Sequence, residues 1–228
     1  MDLLIASLGS ILLVADIWEG NTVVMVKSSV TSLPLDFTPL FSSTASTAQN
    51  PRLFAYDCSL KSTSGRGIVA TSSEAYLDNV EVNECAATGV YVGRGRHNSS
   101  AFGCLAAISC DIVGNGIGGR LRPNEALDST SYELVQAGHS GIYSQDGQIF
   151  TADCNISGNL YTGLSNTGSR AVVHMDKTDV VGNAAMGVEV ADHGSGNDEQ
   201  VRIAGDCNIS NNEVEVETGG PRGRKRAR

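Results

Sequence analysis

Short runs of alternating apolar and polar residues follow one another along this chain, and glycine or asparagine interrupts them every six to eight residues. The runs are too short for amphipathic helices, whose apolar residues recur with a period of about 3.6 over roughly ten residues or more. In one stretch Cys154 and Ile156 alternate with polar residues, residues 157–159 (Ser-Gly-Asn) have the chemistry of a turn, and Leu164 begins another run. The pattern therefore predicts short, half-buried β-strands separated by tight bends.

This pattern repeats, and its clearest marker is a glycine. The glycine recurs at intervals of 22, 30, 22, 22 and 24 residues, at Gly67, Gly89, Gly119, Gly141, Gly163 and Gly187. Four residues earlier stand Thr63, Cys85, Asn115, Ala137, Asn159 and Asn183, and a seventh copy has Asn212 followed by Val216 in place of the glycine. Self-similarity at such a period indicates stacked repeats, in which each position lies above its counterpart. An antiparallel sandwich would not require the same turn residue in every copy.

The expected fold is an all-β solenoid of parallel strands. Residues 53–217 should form about seven regular coils of about 22 residues, with three short strands in each coil. Residues 1–52 should form irregular N-terminal coils and a long loop over Ser32–Gln49, because that segment is rich in serine, threonine and proline. Residues 218–228 should be a disordered basic tail.

Three segments carry a resemblance to a known family: Cys154-Asn-Ile-Ser-Gly-Asn159, Asp179-Val-Val-Gly-Asn183 and Cys207-Asn-Ile-Ser-Asn-Asn212. They resemble the repeats of the right-handed parallel β-helix proteins, a pectin-lyase-like superfamily that includes pectate lyases, polygalacturonases and many binding proteins. The resemblance covers residues 53–217 and implies a right-handed, single-stranded β-helix. It also implies a structural ladder of inward, hydrogen-bonded asparagines, formed by Asn115, Asn159, Asn183 and Asn212. It is specific for architecture and says little about activity.

Charge and targeting signals restrict the partners. The net charge of −9 argues against nucleic-acid binding by the folded domain. Five of the last eight residues are basic, which fits a solvated tail, a nuclear-import signal or a contact with an anionic partner. The apolar N-terminal run, residues 1–15, is too short to span a membrane and lacks basic residues, so it is either an atypical export signal or a strand. No membrane partner is expected, and the chain is either complete or part of a larger multidomain protein.

The cysteines are expected to be reduced. Cys58, Cys110, Cys154 and Cys207 share one position of the repeat, with other residues in the copies between them. Two coils would separate them by roughly 10 Å, which is too far for a disulfide. No cysteine or histidine spacing suggests a metal site, and no cofactor is expected. Reduced cysteines and a basic tail favour an intracellular setting over secretion, although the compartment stays open.

The first functional hypothesis is a non-enzymatic module that binds a glycan or a protein. The outward position two residues after each glycine holds Val69, Tyr91, Leu121, Tyr143, Ser165 and Glu189. Arg120 and Arg122 would point inward on the coil between the two tyrosines, and burying two unpaired charges is so costly that a local register shift should expose both. The ligand site would then be a Tyr–Arg–Tyr stripe next to the loop residues Arg94 and His97, with long links over 93–100 and 192–200 at the same edge. Aromatic faces and guanidinium groups suit sugars that carry carboxylates.

Two alternatives remain open, an enzyme and a purely structural or adhesive repeat. A hydrolase of the pectin-degrading type needs paired carboxylates, and the sequence offers Asp146 and Asp192 at matching positions, about 9.6 Å apart along the stack if one coil separates them. A lyase would require Ca²⁺, for which Asp192, Asp198 and Glu199 of one acidic loop are candidate ligands. The polygalacturonase strings Asn-Thr-Asp and Arg-Ile-Lys are absent.

Overall fold

A computed structural model describes the side chains of residues 52–61, 66–70, 73–93, 103–116, 139–191 and 201–213, and the backbone alone of further strands. The described part is nearly all β, and its strands pair in parallel except for the last pair. The prediction of an all-β fold with parallel strands is therefore confirmed.

The strands fall into three series that the chain visits in turn. The first series is β1 (Leu3–Ser7), β4 (Thr22–Val26), β7 (Arg52–Ser62), β9 (Glu74–Asn83), β11 (Cys104–Ile108), β14 (Gln148–Ala152), β17 (Val172–Asp176) and β20 (Val201–Ala204). The second is β2 (Ser10–Ile11), β5 (Ser29–Ser32), the later halves of β7 and β9, β12 (Asp111–Val113), β15 (Asn155–Ser157), β18 (Asp179–Val181) and β21 (Asn208–Ser210). The third is β3 (Ala15–Trp18), β6 (Phe41–Thr44), β8 (Ile68–Thr71), β10 (Val90–Gly93), β13 (Ile142–Gln145), β16 (Leu164–Thr167), β19 (Met186–Ala191) and β22 (Val214–Gly219), and β23 (Lys225–Arg226) follows it.

Each strand pairs with the strand of the same series in the next unit. The first and second series together make a 14-stranded sheet, and the third series with β23 makes a nine-stranded sheet. From β7 onward, paired residues of the first series are 22, 30, 44, 24 and 28 positions apart in sequence. The units are therefore less regular in length than the predicted 22 residues, although their pairing is in register.

Single residues with positive φ make the bends. Asp57, Asn79, Ser109, Asp153, Lys177 and Gly205 separate the first series from the second, and Glu84, Gly114, Gly158, Gly182 and Asn211 follow the second series. Their φ angles lie between 44° and 66°. Glycine, asparagine and aspartate tolerate this conformation best, which explains why these residue types mark the repeat.

The core lies between the inward faces of the three series. Leu105, Ile149 and Val173 pair in successive units of the first series, and none of them is exposed. Burial alternates along the strands of the first series, whereas every residue of β16 in the third series is buried. The outward face of the third series is thus largely covered, and the outward face of the first series is open.

Four asparagines form a hydrogen-bonded column at the bend between the second and third series. In each step the backbone amide and Nδ2 of one asparagine donate to Oδ1 of the next, at 2.9–3.1 Å, through Asn115, Asn159, Asn183 and Asn212. Each Nδ2 also donates to a backbone carbonyl of the preceding unit, at 2.9–3.2 Å. The column satisfies buried backbone groups that the bends leave without sheet partners.

No strand separates β10 from β13, where the unit around Gly119 was predicted. Strands β10 and β13 are direct neighbours, and Tyr91 pairs with Tyr143. The expectation that Leu121 lies between the two tyrosines is therefore wrong, and residues 117–138 lie outside the described residues. The segment from 117 to 138 is one repeat long, so Gly119 falls in phase with the other repeat glycines in the sequence.

The same correction changes the cysteine argument. All six cysteines are free, as predicted. Cys110 and Cys154, however, lie in neighbouring units, because Asp111 pairs with Asn155. The predicted separation of two coils is wrong for this pair. A hydrogen bond between their thiols, together with burial, raises the pKa of Cys110.

The two ends of the chain also contribute strands. β1 to β6 pair with the same sheets as the later strands, and β6 lies inside the segment predicted to be a loop. At the other end Glu217 pairs with Arg226 and Thr218 with Lys225, in antiparallel orientation. Part of the segment predicted to be a disordered tail is therefore a strand.

Candidate functional site

The predicted tyrosine stripe is largely buried. The rings of Tyr91 and Tyr143 stack with their centroids 5.7 Å apart. Only 4% of Tyr143 is exposed, and its hydroxyl lies 3.3 Å from the hydroxyl of Thr167. The expectation of an open binding stripe on the third series is therefore wrong. The sequence pattern identified outward positions correctly, but it could not show that this face is covered.

The arginine that does contact this stripe is Arg66, which the sequence analysis missed. Its guanidinium lies 4.3 Å from the centroid of the Tyr91 ring, a cation–π contact. Burial lowers the pKa of Arg66, and the nearby Tyr91 and Tyr143 oppose that shift. Arg66 directly precedes the repeat glycine Gly67, and Tyr91 occupies an outward position one unit later. This placement of an arginine next to a tyrosine was the signal in the sequence that could have identified the contact.

Arg94, His97, Arg120, Arg122 and Asp192 lie outside the described residues.

Asp146 is 7% exposed, and its Oδ1 accepts a hydrogen bond of 3.1 Å from the backbone amide of Arg170. The carboxylate also lies against Gly168, where an added Cβ would meet it. Asp146 therefore supports a bend.

A different face carries exposed aromatic side chains. One outward position of the first series holds, in paired order, Phe54, Tyr76, Ala106, Phe150, His174 and Arg202, which we name the aromatic column. Phe54 and Tyr76 stack with centroids 4.8 Å apart and planes within 8°. Phe150 and His174 meet edge to face at 5.1 Å. Phe150 is 38% exposed, so this face is open to ligands.

A groove of about 420 Å³ runs along the second half of the column. Its walls and floor include Ile108, Phe150, Ala152, His174, Asp176 and Arg202. The groove exists because small side chains lie next to large ones: alanines at 106, 152 and 204 leave space that Phe150 and Ile108 border.

Polar contacts differ between the two ends of the column. At the first end, the Tyr76 hydroxyl donates to Glu74 at 3.0 Å, and Arg52 forms an ion pair with the same carboxylate at 2.9 Å. Burial and the hydrogen bond to Glu74 raise the pKa of Tyr76. At the second end, no hydrogen bond or ion pair within the described ranges engages the side chain of Asp176 or Arg202.

The sequence could not identify this face from single repeats. Tyr76, Phe150 and His174 each belong to a short strand before the cysteine position, where one aromatic side chain is unremarkable. They become a column only through the pairing of β9, β11, β14 and β17, across links of unequal length.

The described residues contain no group of three or more histidine, cysteine, aspartate or glutamate side chains that could hold a metal ion. No helix in the same part of the chain is long and apolar enough to cross a membrane. Comparisons with models of protein families, with curated proteins and with solved structures found no match.

Proposed function

We propose that this chain is a right-handed parallel β-helix that acts as a recognition module and binds a glycan through the aromatic column. In-register parallel pairing of three strand series, with an asparagine column at one bend, supports the β-helix architecture. The observation that carries the function is the open face with Phe54 and Tyr76 at one end and Phe150 and His174 further along.

Sugar rings suit this face because they are amphipathic. The C–H bonds on one face of a pyranose carry partial positive charge, and aromatic faces carry a negative quadrupole. Stacked strands place equivalent side chains about 4.8 Å apart, so the column presents ring-sized contacts along a straight line. A linear polymer of sugars can occupy several of these contacts at once, which a compact ligand cannot.

The groove next to Phe150 adds enclosure to the aromatic contacts. Small-molecule sites are concave and mostly apolar, with a few polar groups that fix orientation. The alanines supply the apolar floor, while His174, Asp176 and Arg202 supply the polar groups. The enzyme alternative gains nothing from Asp146, because its carboxylate is engaged by a backbone amide.

A glycan array followed by calorimetry tests the proposal. Phe150→Ala and Tyr76→Ala should each weaken binding of the best glycan roughly two- to tenfold, as loss of an aromatic contact worth about 0.5–1.5 kcal/mol requires. Leu160→Ala is the matched control, because Leu160 is 41% exposed but lies at another bend. Failure to retain any glycan, or equal effects of all three substitutions, would refute the proposal.

A further inference from the structure

Charge along the groove discriminates between classes of glycan. The position next to the aromatic column, nearer the bend, holds Tyr56, Asp78, Ile108, Ala152, Asp176 and Ala204 in paired order. Two of these six are exposed carboxylates, and the bend positions that follow add the exposed Asp57, Asp153 and Lys177. Four carboxylates against one ammonium leave this border net negative, so it repels a polyanion, and the effect is strongest at low salt.

The second end of the groove carries one carboxylate and one guanidinium that have no hydrogen-bond or ion-pair partner among the described residues. Asp176 lies against the next bend, where an added Cβ at Gly205 would meet its Oδ1. Arg202 follows His174 in the aromatic column, one strand further along. A carboxylate only accepts hydrogen bonds and a guanidinium only donates them, whereas a sugar hydroxyl does both. Adjacent hydroxyls of one sugar can therefore satisfy both groups without carrying any charge.

The apolar side chains around Ala106, at the other end of the groove, favour an uncharged sugar ring. Ala106 leaves a gap in the aromatic column between Tyr76 and Phe150, which are two strand spacings or about 9.6 Å apart. Ile108 is 48% exposed at the side of this gap. An uncharged ring can lie against Ile108 and Phe150, while a carboxylate there would lose its hydration without gaining a partner.

From this arrangement we infer that the groove takes a neutral, unbranched glycan that lies along the stack, with its hydroxyls bonded to Asp176 and Arg202. The inference rests on the proposed function, and it departs from the carboxylated sugars that the sequence analysis favoured. That expectation depended on Arg94, Arg120 and Arg122, whereas the described groove is lined by Asp176 and a single arginine.

Calorimetry with matched hexasaccharides tests the inference. The probes are the neutral hexamers of glucose, xylose, mannose and N-acetylglucosamine, the anionic hexamer of galacturonate and the cationic hexamer of glucosamine. At low salt the best neutral hexamer should bind at least tenfold more tightly than the galacturonate hexamer. Added salt should change the affinity of the neutral hexamer by less than twofold, because no ion pair forms.

Two substitutions separate the role of Asp176 from a general effect. Asp176→Ala should weaken the neutral hexamer several-fold, since a hydroxyl loses its acceptor. Asp176→Asn should keep most of the affinity for the neutral hexamer. It should also reduce the ratio of the neutral-hexamer affinity to the anionic-hexamer affinity. Asp179→Asn, at an exposed position of the second series, is the control. It should change neither the affinity for the neutral hexamer nor the ratio of neutral to anionic affinity.

The outcomes distinguish the two proposals. Tighter binding of the galacturonate or glucosamine hexamer than of every neutral one overturns the neutral-glycan inference and leaves glycan binding intact. If Asp176→Asn leaves the ratio of neutral to anionic affinity unchanged, the neutral-glycan inference is likewise overturned and glycan binding is left intact. Absence of binding by all the hexamers overturns both proposals.

Discussion

Deletion of residues 117–138 offers a sharp test of how the units stack. The deletion joins Gly116 to His139 and creates the order Asn115-Gly-His-Ser-Gly141, in which the asparagine precedes the glycine by four positions. Asn159 and Gly163 have the same spacing in the intact chain. The two ends to be joined already touch, because an added Cβ at Gly116 would lie 3.0 Å from the Cα of His139.

The expected change in stability follows from the length of the link. Asn115 and Gly141 are 26 positions apart in the intact chain and would be four apart after deletion. The loop-closure cost scales with the logarithm of length, so the shorter link should stabilise the fold by about 1–2 kcal/mol. If residues 117–138 instead formed a packed unit, their removal would lose buried apolar side chains worth about 1.5–3 kcal/mol each.

Urea unfolding followed by circular dichroism provides the assay. The denaturant m-value scales with the surface exposed on unfolding, so it should stay nearly constant if the stack is intact. Replacement of residues 117–138 by a glycine–serine linker of equal length is the control and should also keep the m-value. A fall in both the m-value and the midpoint after deletion would refute the direct pairing of β10 with β13.

Further predictions concern the bends and the buried polar groups. Asn159→Ala should cost about 2–5 kcal/mol in urea unfolding, because it leaves buried amide and carbonyl groups without partners, whereas Asn155→Ala, which removes one solvent-accessible hydrogen bond to Asp111, should cost only about 0.5–1 kcal/mol. Gly163→Ala should cost about 1–3 kcal/mol, since its Cβ would lie 2.8 Å from a backbone oxygen, while Gly158→Asn should be nearly neutral because asparagine tolerates its φ of 61°. Burial lowers the pKa of His139, so the unfolded chain binds the proton more tightly and stability should decrease as the pH falls below about 6.5; the urea midpoint of His139→Gln should show a smaller decrease between pH 7.5 and pH 5. A thiol reagent should count six free thiols in urea without reductant, and a lower count would contradict the reduced cysteines.

The sequence predicted the strands and bends well because both depend on local chemistry. Glycine and asparagine mark positions of positive φ, and alternation marks a half-buried strand, so one repeat is enough to identify them. The stacking order depends on which copies are neighbours. The segment between Gly116 and His139 has the length of one repeat, so the sequence analysis counted it as a copy. That single error displaced Tyr91 from Tyr143 and separated Cys110 from Cys154 by one unit too many.

The binding face was harder to predict than the fold because exposure is a property of the whole molecule. Outward tyrosines of the third series were identified correctly as outward, yet Tyr143 is buried. Phe150 and His174 were each unremarkable in sequence, and their contact exists only because β14 pairs with β17. Residue type and period thus predicted orientation, but they contained no information on which outward face remains open.

The links between units explain where the aromatic column is interrupted. Phe150 and His174 lie on strands that follow links of only two and four residues, 146–147 and 168–171. Ala106 and Arg202 lie on strands that follow links of ten and nine residues, 94–103 and 192–200. From Tyr76 to Arg202, a ligand that runs along the column therefore meets rings where the chain turns directly into the first series, and it meets a small or charged side chain where a long link precedes the strand. Because links tolerate changes in length and sequence better than stacked strands do, selectivity can change through the two long links that precede Ala106 and Arg202 while the aromatic contacts remain as they are.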